Sequence, residues 1–149
     1  MDKDCKKQID EFNILWHRML FESSYKDIEA KYTRIKGLSD NEISIIRIIS
    51  EKEEVIIRDI LEILNIPKST LTNMIDRLEK RNLIRRSISK RDRRSYKLEL
   101  TEEGKKAQEE HIKFEEEIYG KVMISLDTYE ERENLLNIMR KIVYNISSR

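Results

Sequence analysis

The chain has 149 residues, 40% of them charged, yet 30 Lys and Arg stand against 29 Asp and Glu, for a formal charge of only +1. That length suits one compact domain, or a small domain with dimerising arms. Three glycines and one proline exclude a collagen-like or turn-rich all-β chain. The 38% hydrophobic share excludes a disordered polyelectrolyte, and no apolar run approaches the roughly 18 residues of a membrane span. The opening MDKDCKKQIDEF lacks the apolar segment and small-residue cleavage site of a signal peptide. A soluble, cytoplasmic protein with no membrane association is the expectation.

Cys5 is the single cysteine, so an internal disulfide is excluded. It reads as a bystander thiol, with a redox role as the alternative. From residue 6 to 31, Ile9, Phe12, Trp16, Met19 and Leu20 recur at three- and four-residue steps, with Leu15 and Phe21 widening the stripe. This predicts one long amphipathic helix packed on a second helix or a partner subunit. Gly37 interrupts the pattern, and Ser39-Asp40-Asn41-Glu42 then has the Ser-x-x-Glu form of a capping box. A second helix is predicted there, buried through Ile43, Ile46 and Ile49 and ended by the polar run Glu51 to Glu54. Val55-Ile56-Ile57 is β-branched throughout and predicts a very short strand.

Residues 58–65 carry Ile60, Leu61 and Leu64 and predict a two-turn helix that stops at Asn65, a residue tolerant of the left-handed conformation. After a tight turn, residues 69–80 place Leu71, Ile75 and Leu78 on one face and leave a polar face outward. Asn82 ends this helix as Asn65 ends the last. Residues 83–88 have strand character, and residues 89–95 form a basic turn. Residues 96–100 alternate, with Tyr96, Leu98 and Leu100 on one face, so the two runs predict a β-hairpin with a positive tip. Thr101-Glu102-Glu103-Gly104 starts a helix reaching about Ile124. It carries Ala107, His111, Phe114, Ile118 and Val122 at helical spacing. A final helix is predicted with Asp127 as cap and a stripe of Leu135, Ile138 or Met139, Ile142 and Ile146. The terminal stripes exceed what so small a central domain can cover, which predicts a homodimer built from the chain ends, against a monomer in which they fold back. The expected fold class is mainly α with a small β-wing. Its divisions are residues 1–36 (N-terminal dimerisation helix), 37–100 (winged helix-turn-helix) and 101–149 (C-terminal dimerisation helices).

Charge is segregated along the chain. Between Lys80 and Lys97 nine basic residues stand against Asp92 alone, a net +8, and between Glu99 and Tyr119 eight glutamates stand against three lysines, a net −5. Such a block is the footprint of a polyanion-binding surface, with a solvated charged loop as the plainer alternative. Helix, tight turn, helix and basic hairpin is the order of a winged helix-turn-helix, whose second helix enters the DNA major groove. Its outward residues are Lys68, Ser69, Thr70, Thr72, Asn73 and Arg77. Asn pairs bidentately with adenine, Ser and Thr donate to phosphates or bases, and Arg suits a phosphate or guanine. Any one of these residues also fits a solvated helix face. In the wing the candidates are Arg86, Lys90, Arg91, Asp92, Arg93 and Arg94. Arginines crowded at the tip repel one another without a polyanion, and Asp92 is suited to orient one guanidinium for entry into a narrow A·T-rich minor groove.

The run Asp92-Arg93-Arg94-Ser95-Tyr96-Lys97-Leu98-Glu99-Leu100-Thr101-Glu102-Glu103-Gly104 resembles the Asp-x-Arg wing and Leu-Thr-x-x-Gly of the MarR family of transcriptional regulators. The run from Ser69 to Glu79 resembles that family's recognition helix, and Leu38-Ser39-Asp40-Asn41-Glu42 precedes the second helix in the right order. The resemblance implies a homodimer with interlocked terminal helices, gripping a pseudo-palindromic operator in double-stranded DNA. It implies Arg94 as the minor-groove arginine and Asp92 as its orienting partner. Pro67 stands where the family commonly has a capping Asp or Ser, Asn73 where arginine is frequent, and Asn65 and Asn82 where glycine is common. A different base preference is therefore expected.

The resulting expectation is a DNA-binding regulator, a repressor released by a small-molecule effector or another signal. The alternative is a winged-helix module binding an acidic protein or RNA. An enzyme is not expected, because His17 and His111 are isolated and no zinc spacing, phosphate loop or nucleophile elbow occurs. No cofactor or metal is implied. The resemblance makes Phe12, Trp16, Met19 and Ile46 candidate walls of a ligand crevice, while a stripe of this kind reads equally as core packing.

Overall fold

The computed structural model describes residues 2–148. Its elements run α1 (Lys3–Glu22), α2 (Tyr25–Lys31), α3 (Asp40–Glu51), β1 (Val55–Ile56), α4 (Ile57–Leu64), α5 (Lys68–Lys80), β2 (Ile84–Ile88), β3 (Tyr96–Leu100), α6 (Glu102–Ile124) and α7 (Tyr129–Ser147). They form two compact units, residues 29–114 and residues 1–28 with 115–149.

The unit of residues 29–114 is a winged helix-turn-helix. Its helix α3 starts at the predicted capping box: Glu42 N–H donates to Ser39 Oγ at 3.3 Å, and Ser39 N–H donates to Glu42 Oε2 at 2.9 Å. It buries Ile45, Ile46, Ile48 and Ile49, a wider stripe than Ile43, Ile46 and Ile49, because it faces β3, α4 and α5 together. Strand β1 is only two residues long, and Ile57 already belongs to α4. Asn65 closes α4 at φ 49° and donates its N–H to Leu61 O at 2.9 Å. Helix α5 begins after Pro67 without a side-chain cap and buries Leu71, Ile75 and Leu78 completely. Burying each of these contributes roughly 1.5–3 kcal/mol before entropy is counted. The sheet order is β1-β3-β2, antiparallel, with Val55 opposite Leu98, Ile84 opposite Leu100 and Ile88 opposite Tyr96.

Two further contacts define the frame. Arg81, at the end of α5, donates to the carbonyls of Arg34 and Lys36 at 2.8 and 3.0 Å. Arg34 in turn pairs with Glu103 at 3.0 Å and Glu110 at 2.6 Å on α6.

In the other unit only Ile28 and Ile118 of the described residues are buried. The single helix predicted for residues 6–31 is instead two. Ser23 Oγ donates to Leu20 O at 2.8 Å, and Ser24 takes φ 57°, so the serines satisfy the helix end and turn the chain before α2. The cap of α7 is Thr128 and not Asp127, with Glu131 N–H donating to Thr128 Oγ1 and Thr128 N–H to Glu131 Oε2, both at 3.1 Å. Asp127 has Glu130 at the same spacing, so two capping boxes overlap in the sequence and the helix takes the second. Both helices that bound the chain keep large apolar groups exposed, among them Phe12, Leu15 and Trp16 on α1 and Ile138, Ile142 and Ile146 on α7.

Gly104, in the first turn of α6, packs against Leu83 just before β2. A Cβ there would lie 1.9 Å from Leu83 O and 2.9 Å from Leu83 C, both backbone atoms. Gly104→Ala is therefore expected to destabilise the protein by about 2 kcal/mol or more, read as a lower denaturation midpoint in urea.

Candidate nucleic-acid interface

Burial of Leu71, Ile75 and Leu78 leaves the opposite face of α5 to solvent. Lys68, Ser69, Asn73 and Arg77 are exposed there, and Thr70 and Thr72 are half-buried. The Thr72 hydroxyl donates to Lys68 O at 2.9 Å, so only its lone pairs remain for a ligand. Arg77 Nε meets Glu42 Oε1 at 2.9 Å. Glu42 is only 3% exposed, and Arg77 is its ion-pair partner there. The remainder of the guanidinium faces outward.

The wing is braced from outside. Arg86 on β2 pairs with Asp76 and, at 2.9 Å, with Glu79 of α5, so this cation ties the strand to the helix. Ser89, fully buried, donates its hydroxyl to Glu54 Oε1 at 3.1 Å and accepts the N–H groups of Arg91 and Asp92 at 3.1 and 3.0 Å. Glu54 Oε1 also accepts from Lys90 N–H at 2.5 Å and Arg91 N–H at 2.9 Å. The Arg91 guanidinium forms a bidentate pair with both oxygens of Asp59, each at 2.8 Å.

Asp92 does not orient a guanidinium, as the sequence suggested. It accepts from Arg94 N–H at 3.0 Å and Ser95 Oγ at 3.1 Å, folding the tip as a local turn. Nor does the tip depend on a polyanion for relief of repulsion, since Glu54 and Asp59 supply the countercharge. Further down the hairpin, Arg85 and Lys97 share Glu99 at 3.2 and 2.7 Å. Among the described residues Arg93 and Arg94 are exposed and make no side-chain ion pair, and Lys68 and Lys90 are likewise unpaired. Much of the +8 block is thus neutralised internally.

The four candidate ligand-crevice residues divide between the units. Phe12 and Trp16 stack on α1 with centroids 5.8 Å apart, both exposed, and Met19 is half-buried. Ile46 lies in the packed core of the winged unit, 2% exposed. Among the described residues no group of three His, Cys, Asp or Glu could hold a metal, and no helix is long and apolar enough to cross a membrane.

Comparison with known proteins places this geometry. The MarR family model matches residues 38–96, which contain α3, both helices of the helix-turn-helix, β2 and the wing tip as far as the start of β3. The chain is also 29% identical over 127 residues to the HTH-type transcriptional regulator SarZ of Staphylococcus epidermidis, covering 83% of this chain and 84% of that protein. Residues 38–96 of this chain are thus similar to the MarR family. Its fold is that of the YusO protein from Bacillus subtilis, with a TM-score of 0.69, 25% identity, and coverage of 97% of this chain and 99% of that one. A mutant MarR from E. coli, solved in complex with operator DNA, matches with a TM-score of 0.61 at 18% identity, over 91% of this chain and 95% of that one.

Within this frame, Glu42, Glu54, Asp59 and Ser89 are site residues that sequence reasoning missed. Glu54 and Asp59 lie more than 30 positions from the wing they hold. The one local signal was Asp59 itself, placed to accept Ile56 N–H at the start of α4, where the bond measures 3.0 Å. Hydrogen bonding from Arg91, through its backbone N–H, holds the Glu54 carboxyl below the usual range, and the Arg91 guanidinium does the same for Asp59. Because both are depressed in the folded protein, the stability they contribute is present above the ordinary carboxylate range and is lost as pH falls through their lowered values. In an NMR titration the Lys90 and Arg91 amide resonances are expected to stay constant down through the ordinary glutamate range and to move only below it.

Proposed function

We propose that this chain is a DNA-binding transcriptional regulator of the MarR family, and specifically a signal-responsive repressor that binds a pseudo-palindromic operator as a homodimer. The observation that carries the reading is a solvent-facing polar helix beside a wing whose Arg93 and Arg94 lack internal partners. The operator complex of a MarR with this fold supports the same use of DNA here. In this reading the first turns of α5 face base edges through Lys68, Ser69, Thr70, Thr72 and Asn73. Arg94, with Arg93, enters the adjacent minor groove. Lys90 contacts phosphate. Arg77, Arg86 and Arg91 act chiefly by holding the surface in shape, and Asp92 by folding the tip.

The exposed apolar faces of α1 and α7 support dimerisation through the chain ends, residues 1–36 and 101–149. A two-fold dimer sets its recognition helices about 34 Å apart, so half-sites one helical turn apart are expected. A small-molecule effector preferring a conformation with another spacing would release the operator by its differential affinity for the two states. Phe12, Trp16 and Met19 of α1 are its proposed contacts, the stacked Phe12–Trp16 pair offering an aromatic surface, while Ile46 serves the core of the winged unit.

Sedimentation equilibrium is expected to give twice the chain mass, and Trp16→Asp to shift the protein toward monomer. Fluorescence anisotropy on the duplex upstream of its own gene, against a scrambled duplex, is expected to show tighter binding that persists as salt rises. Arg94→Ala is expected to cost about 1–3 kcal/mol of operator affinity. Arg86→Ala is expected to lower the melting temperature while leaving the salt slope unchanged. Full operator affinity in Arg94→Ala would overturn the assignment, and binding to an acidic protein or RNA with no duplex binding at low salt would replace it.

A further inference from the structure

We propose that Asp59 is a positioning residue for the wing, and that Arg91 serves DNA binding only through its pair with Asp59, not by touching DNA. The proposal rests on the DNA-binding reading above and adds to it the residues that hold the reading surface in place.

The argument starts from the hairpin. Strands β2 and β3 pair only as far as Ile88 opposite Tyr96, and the seven residues beyond project from that last pair. Across the base of the loop, Ser89 N–H donates to Ser95 O at 3.3 Å. A two-stranded ribbon of this kind is marginal by itself in water. Here its tip gains six bonds to one short segment: three to Glu54 Oε1, from Ser89 Oγ and the N–H groups of Lys90 and Arg91, one from the Arg91 guanidinium to Glu54 O at 3.5 Å, and two to the Asp59 carboxylate. Glu54 holds φ at 50°, a conformation unfavourable for a non-glycine residue, and the three donors on its carboxylate hold it there. Between Glu54 and Asp59 lie β1, which pairs with β3, and the first turn of α4. The same six residues therefore begin the helix-turn-helix and grip the wing tip, so the brace fixes the wing relative to α4.

The placement is electrostatically costly for a DNA binder. A carboxylate beside a polyanion-binding tip repels the ligand, so charge alone predicts that removing it tightens binding. Holding the wing predicts the opposite sign. Asp59→Asn separates the two cleanly, because asparagine still accepts the Ile56 N–H that caps α4 but cannot form the charged bidentate pair. Arg91→Gln tests the other end and leaves the cap untouched.

The experiment compares the unmodified protein, Asp59→Asn, Arg91→Gln and the double variant. Affinity for the upstream duplex is measured over a range of salt, and hydrogen exchange of residues 89–95 is measured without DNA. Expected are a loss of about fivefold or more in each single variant, no further loss in the double, and an unchanged salt slope. Faster exchange confined to the wing is expected to accompany them. Equal or tighter binding by Asp59→Asn overturns the proposal, as does a fall of about one in the salt slope of Arg91→Gln, which marks a direct phosphate contact. If the unmodified protein binds no duplex DNA, the DNA-binding reading fails and the exchange data decide the brace alone. Faster exchange in both variants then supports it, and unchanged exchange overturns it.

Discussion

The apolar stripe of α5 is the constraint on which the rest depends. Leu71, Ile75 and Leu78 are fully buried against α3, the sheet and Ile60 of α4, and this fixes the helix about its axis. Everything that makes the outer face a reading surface follows from that rotation, since residues one step away on the helical wheel are turned to solvent. The buried Glu42 makes the setting tighter. It caps α3 through Ser39 and holds Arg77 of α5, so one carboxylate fixes the start of one helix and the azimuth of another.

Elements whose signals are local were legible in the sequence. The Ser39–Glu42 cap, the left-handed stops at Asn65 and Asn82, the buried face of α5 and the hairpin strands all rest on residues within a turn or two of one another. The break at Ser23-Ser24 was hidden because the apolar period runs straight through it, while hydroxyl groups ended the helix beneath that pattern. The cap of α7 moved one residue because two capping boxes overlap there, Asp127 with Glu130 and Thr128 with Glu131, and spacing alone does not choose between them.

Charge was the least legible property. Counting along residues 80–97 gives the sign of the surface correctly but overstates its strength, because the partners come from elsewhere in the chain: Asp59 for Arg91, Asp76 and Glu79 for Arg86, Glu99 for Arg85 and Lys97. Pairing of this kind sorts a basic cluster into cations that shape a surface and cations left to use it. Arg93 and Arg94, in the turn that Asp92 folds, belong to the second class, exposed and without a side-chain ion pair among the described residues. An aspartate in such a motif organises the backbone first, and the side chains beyond it inherit their direction.

The junction around Leu83 bears on the order of assembly. Leu83 O accepts Thr101 N–H at 3.1 Å, Thr101 Oγ1 donates to Asn82 O and accepts Gly104 N–H, and the bare Cα of Gly104 admits the Leu83 carbonyl. The first turn of α6 is therefore seated on backbone that lies at the opposite end of the hairpin in sequence. Those groups meet only once β2 and β3 have closed, a loop whose entropy is spent early and recovered by the pairing itself. The longest helix among the described residues thus docks late, its starting point decided by the hairpin that precedes it.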